Sequence, residues 1–172
     1  MIMMYTKLDT TKTGELYLIR KGWFSHEYEL TDKVYTYGKM TYHRLTKRKA
    51  TAIAATGTWI FQREGLFSRS ISITDENGQT MGVLIRNWFS ARGILKLDTG
   101  FQAEFYRPSI WSHKNIWNSV DDGEIMNFES HPFSLTDTIH LDQSFKQTAL
   151  IPLLIFLGSY LTILRRRRQA RH

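Results

Sequence analysis

From Thr148 to Leu164 the chain carries no charge: Thr-Ala-Leu-Ile-Pro-Leu-Leu-Ile-Phe-Leu-Gly-Ser-Tyr-Leu-Thr-Ile-Leu. Lys146 is the last charge before it, and Arg165-Arg166-Arg167-Arg168 follow at once. A helix that is apolar on every side must be surrounded by something other than water. It is either a membrane span or the core of a folded domain. The remainder of the chain decides which.

Upstream, the pattern is one of short strands and turns. Ser68-Arg69-Ser70-Ile71-Ser72-Ile73-Thr74 alternates Ser or Thr with Ile, and Phe101, Ala103 and Phe105 share one face of Phe101–Arg107. That period of two marks strands with one buried side. Asp75-Glu76-Asn77-Gly78, Asp98-Thr99-Gly100 and Asp121-Asp122-Gly123 are hairpin turns, because Asn and Gly tolerate positive φ. Further strands are expected at 15–21, 28–30, 34–42, 58–63, 79–85, 93–97, 115–118, 124–129 and 138–141. Ala50–Ala55 is Ala-rich but short and is read as a strand. Beyond the succession of hairpins no internal repeat stands out. The aromatic content of 13% agrees with β structure.

The result is a mainly β chain: about twelve antiparallel strands in meander order, then one helix at 147–164. A barrel of that strand number encloses more space than its own side chains fill. The helix is the natural plug. As a membrane span, Thr148–Leu164 would reach only roughly 25 Å, short for a bilayer core of ~30 Å. Each Leu, Ile or Phe it buries stabilises by ~1.5–3 kcal/mol, a large term beside a net stability of ~5–15 kcal/mol. The plug is therefore the favoured reading, in one domain over 14–164 with a basic tail at 165–172. An integral β domain held by residues 148–164 stays open as the alternative.

Thr58–Arg63, running through Gly65-Leu66-Phe67-Ser68-Arg69 to Ile71-Ser72-Ile73, the turn at Asn77-Gly78 and the closing helix Thr148–Leu164 together resemble the tubby C-terminal-like superfamily. That superfamily includes the LURP-one-related proteins and the phospholipid scramblases. The resemblance implies a twelve-stranded barrel around a buried C-terminal helix. It also implies binding of membrane phosphoinositides through basic barrel residues.

The net charge is +7, from 23 basic and 16 acidic residues. Arg165–Arg168 and Arg171 supply five of the 23, so residues 1–164 hold 18 basic against 16 acidic groups and the excess sits in the tail. Such a tail suits an anionic lipid surface or nucleic acid, and it also suits a helix C-terminus. No nucleic-acid-binding motif is present. The candidate lipid or anion ligands are His43, Arg44, Lys47, Arg48 and Lys49 in one patch, Arg63 and Arg69 across a turn, and Arg165, Arg166, Arg167 and Arg168. Trp23-Phe24 and Trp88-Phe89 either pack a barrel end or sit at a membrane interface.

For catalysis the chain offers little. There is no cysteine, hence no disulfide, thiolate metal site or cysteine nucleophile. The histidines lack metal-site spacing, and no phosphate loop or nucleophile elbow is present. Neither cofactor nor metal is implied. The reading is a non-enzymatic, cytoplasmic barrel, peripheral at a membrane, that binds anionic head groups or a membrane-proximal partner. A small-ligand binder or an enzyme with a barrel-end pocket is the third possibility.

Overall fold

Asp75 and Gly78 show how the strands are cut to length. The Asp75 Oδ1 accepts the backbone N–H of Asn77 and of Gln79, both at 2.9 Å, and Gly78 takes φ +80°. A left-handed residue in that position twists the chain into the partner strand without steric cost. Gly100 does the same at φ +94° in the next hairpin on that side.

The computed structural model describes residues 4–45, 48–65, 67–87 and 92–170. Twelve strands follow one another: β1 (Glu15–Arg20), β2 (Glu27–Thr31), β3 (Thr36–His43), β4 (Lys49–Ala54), β5 (Gly57–Arg63), β6 (Ser70–Thr74), β7 (Thr80–Arg86), β8 (Gly93–Leu97), β9 (Gln102–Tyr106), β10 (Lys114–Ser119), β11 (Gly123–Ser130) and β12 (Thr136–Leu141). Each pairs antiparallel with its neighbours, and β1 pairs with β12, Leu16 opposite Ile139. The barrel is closed. A 3₁₀ turn (Thr148–Leu150) then leads into α1 (Ile151–Gln169).

Every residue of α1 from Ile151 to Leu164 is buried. The helix is long and apolar enough to cross a membrane (mean hydropathy 1.7), but it lies inside the barrel. It approaches β3, β4 and β5 most closely. This explains β4: Ala50, Ala52 and Ala54 point inward, and small side chains let the helix come near. On the other side the space is filled by large rings. Trp117 is fully buried, 4.9 Å from the Phe105 ring, and Phe105 meets Phe128 edge to face at 5.9 Å.

Trp117 also fixes the helix lengthwise. Its Nε1–H donates to the Leu154 carbonyl at 2.8 Å. Gly158 sits one turn on, against the same rings. A Cβ there would stand 2.9 Å from Phe128 Cζ and 3.0 Å from Phe105 Cε2 and Trp117 Nε1. Two polar side chains of the helix find backbone partners: Thr162 Oγ1 donates to Gly158 O at 3.0 Å, and the Tyr160 hydroxyl donates to the Arg48 carbonyl.

Three boundaries differ from the sequence reading. The helix does not stop at Leu164; it continues through Arg165–Arg168 to Gln169, since arginine is a good helix former and cations suit a helix C-terminus. Val34 and Tyr35 belong to a turn, where both backbone N–H groups donate to Asp32 Oδ1. The packed unit begins before residue 14: Thr6 N–H bonds Thr36 O, Thr10 is buried, and Leu8 packs on the core.

Two outcomes test this core. Residues 1–147 alone are expected to be insoluble or unfolded; a soluble, cooperatively unfolding fragment would contradict the plug. Gly158→Ala is expected to lower the denaturation free energy by about 1–3 kcal/mol through overpacking, read from the urea midpoint.

Candidate functional site

The strand order sorts the loops into two groups. The connections β1–β2, β3–β4, β5–β6, β7–β8, β9–β10 and β11–β12 all lie at the end where α1 leaves the barrel. Arg165 marks that end: its Nη1 donates to Oδ1 of buried Asn115, near the start of β10, at 3.0 Å. The two ends differ sharply in charge. The far end holds Asp9, Asp32, Asp75, Glu76, Asp98, Asp121, Asp122 and Asp142 in its loops. The helix-exit end holds most of the arginines.

Ten of the sequence candidates fall at this one end. His43 closes β3, with Nε2 3.2 Å from Thr51 Oγ1. Arg44 is exposed in the following bend. Arg48 takes a left-handed backbone (φ +55°), and Lys49 opens β4. Lys47 lies outside the described residues. Arg63 ends β5, and Arg69 stands in the loop before β6, not within a strand. Arg167 stacks 4.3 Å over the Tyr42 ring, while Arg168 borders a small cleft with Ser68, Arg69, Arg86 and Asn87.

A concavity lies between Arg165 and Arg166 on the helix and the loops around them. It encloses about 440 Å³. Arg20 (end of β1), Arg107 (after β9), His113 and His131 also line it. His131 Nε2 is 3.3 Å from Glu129. None of the ion pairs among the described residues engages Arg20, Arg107, Arg165 or Arg166. Arg165 is held among like charges: burial, with Arg107, Arg166 and Arg86 around it, pushes its guanidinium down to about 10. Burial likewise lowers Arg86. At neutral pH Arg165 keeps its charge. Burial pushes the Asp137 carboxyl above its ordinary range despite the Ser130 hydrogen bond and the Arg166 charge. Arginines gathered in a concavity offer paired N–H donors that can meet the oxygens of an anion.

Arg20, Arg86, Arg107, His113 and His131 were not among the sequence candidates. For all of these but His131 the signal is a loop motif. Arg20-Lys21-Gly22-Trp23-Phe24-Ser25-His26, Arg63-Glu64-Gly65-Leu66-Phe67-Ser68-Arg69 and Arg107-Pro108-Ser109-Ile110-Trp111-Ser112-His113 share one pattern: Arg, two variable residues, two bulky apolar residues, Ser, then His or Arg. The structure gives the pattern a mechanical meaning. The Arg Nε–H donates to the Ser backbone carbonyl in all three, at 2.8, 3.2 and 2.6 Å. The Ser Oγ accepts the backbone N–H two residues on, at 3.1, 3.0 and 3.0 Å. Arginine and serine thus staple each loop from both sides. Arg86-Asn87-Trp88-Phe89-Ser90 is a one-residue-shorter version in sequence; Trp88 and Phe89 lie outside the described residues.

No protein family, no curated protein and no solved structure matches the chain.

Asp137 yields a pH prediction. Its folded pKa lies above the ordinary 3.8, so its contribution to stability falls as pH rises through the window above 3.8. Asp137→Asn is therefore expected to raise the melting temperature at neutral pH, with the gain shrinking as pH falls toward 3.8. An equal gain at both ends of that range would contradict the assignment.

Proposed function

We propose that this barrel is a non-catalytic binder of anionic phospholipid head groups, acting through the arginine end. The observation that carries the reading is the cleft in which Arg20, Arg107, Arg165 and Arg166 converge without an ion-pair partner among the described residues. Like charges are brought together at a cost, and an anion of the solvent or of a surface offsets it. A phosphate group offers several oxygens to such a set, and arginine meets them in a planar, two-pronged geometry.

The rest of the charge pattern supports a surface over an isolated small anion. The basic residues continue beyond the cleft, from Arg44 and Arg48 on one side to Arg69 and Arg168 on the other, so the whole end is attractive to a plane of negative charge. The acidic far end is repelled by the same plane, which orients the barrel as it approaches. The closed twelve-strand barrel around an apolar helix is the architecture that the resemblance to the tubby C-terminal-like superfamily implies, and phosphoinositide binding by that superfamily agrees with this reading.

The test is sedimentation with vesicles of phosphatidylcholine alone and of phosphatidylcholine with phosphatidylserine. Binding is expected only to the anionic vesicles and is expected to fall as salt rises. Arg165→Gln with Arg166→Gln should weaken it by about thirtyfold, from ~1 kcal/mol per basic residue near the surface. Equal recovery with neutral and anionic vesicles would reject the reading.

A further inference from the structure

The three stapled loops present large apolar side chains to water; Leu66 lies outside the described residues. Phe24 is 95% exposed, Phe67 90%, Trp111 84% and Ile110 77%; Trp23 is 56% exposed. These side chains do not pack the barrel end. They are held out from it, because the Arg–Ser staple fixes the loop base and leaves Trp23-Phe24, Phe67 and Ile110-Trp111 at the tips. Holding large apolar groups in water costs free energy, and three repetitions of one device to do so point to a use.

Their placement defines that use. The loops follow β1, β5 and β9, four strands apart in a closed ring of twelve. They therefore stand about a third of the circumference from one another around the barrel mouth. Three tips so spaced define a plane across the barrel axis. Between them stand Leu45, 97% exposed in the β3–β4 connection, and Phe133, 93% exposed in the β11–β12 connection. Arginines lie at the loop bases and helix end, one layer behind the tips.

We infer that this end docks on an anionic bilayer as a tripod: Trp23-Phe24, Phe67 and Ile110-Trp111 enter the interfacial layer together, and the arginines behind them meet the phosphates, so that the barrel stands with its axis along the membrane normal. The inference rests on the head-group binding proposed above and specifies how the same end engages the surface. Apolar tips in front and cations behind match the order of a bilayer, where hydrocarbon lies beneath the phosphate plane. A nucleic acid would not use aliphatic tips such as Leu45 and Ile110, which cannot stack on bases as rings do. A protein interface concentrates its apolar residues in a central patch with a polar rim; here the apolar groups are at the periphery and the charges converge in the middle.

The chain contains no cysteine, so single cysteines can be labelled cleanly. Phe24→Cys, Phe67→Cys and Ile110→Cys, with Val120→Cys at the far end as control, would each carry an environment-sensitive fluorophore. They would be mixed with phosphatidylcholine/phosphatidylserine vesicles, with and without a spin-labelled lipid quencher. All four positions are exposed, so folding is not at issue. The expected result is a blue shift and quenching at all three tips and neither at Val120. Co-sedimentation with no quenching at the tips would mean docking by charge alone and would overturn the tripod while leaving head-group binding intact. Quenching at a single tip would mean a tilted or one-loop contact and would overturn it equally. Failure to co-sediment at all would remove the head-group reading and this inference with it.

Discussion

A ring of twelve strands encloses a volume that its own inward side chains do not close, and the filling of that volume by α1 is what everything else in this molecule depends on. The fit is asymmetric. Alanines on β4 admit the helix closely on one side, and Trp117, Phe105 and Phe128 fill the wider gap on the other. The Trp117 indole hydrogen bond to Leu154 and the ring contact at Gly158 hold the helix at one depth. That depth is what brings Arg165 level with Asn115 and Arg167 over Tyr42. The position of the charged cluster is thus inherited from packing several turns further in.

The helix also shapes the electrostatics it exposes. Its C-terminus carries the negative end of the backbone dipole, and the arginines Arg166–Arg168 lie in its last turn, an arrangement worth typically ~0.3–1 kcal/mol per cation. This accounts for the arginines on the axis. It does not account for Arg20, Arg86 and Arg107, which belong to the barrel wall and add to the same field. Charges from the wall and from the plug thus meet at one end of the barrel, with Arg20 and Arg107 held there by the Ser25 and Ser112 carbonyls.

Much of the fold can be read along the chain because it is a meander: each strand finds its partner next door, and the alternation of Ile71 and Ile73 or of Ala103 and Phe105 reports the buried face directly. The run Ala50–Ala54 favours helix by composition and is a strand by context, since close approach of α1 demands small residues there. The helix limit at Leu164 was misleading because hydropathy changes at that point while helix propensity does not. The basic loop and tail were visible as runs. The cleft was not, because Arg20, Arg107 and His131 are each isolated in sequence and come together only when β1, β9 and β11 share a rim. The loop motif is visible once the loops are aligned by their arginines, but two of its positions vary freely and its copies are separated by four strands, so periodicity in hydropathy does not reveal it.

The pairing of β1 with β12 and the burial of a helix that follows every strand have a consequence for how the chain acquires its shape. During synthesis the strands leave the ribosome in order, yet the seam cannot be sewn until β12 has emerged, and the cavity has no occupant until α1 has emerged after it. Until that moment the growing sheet has two open edges and an uncovered apolar face. Closure of the barrel around its helix therefore waits for β12 and α1, whatever local hairpins form before them.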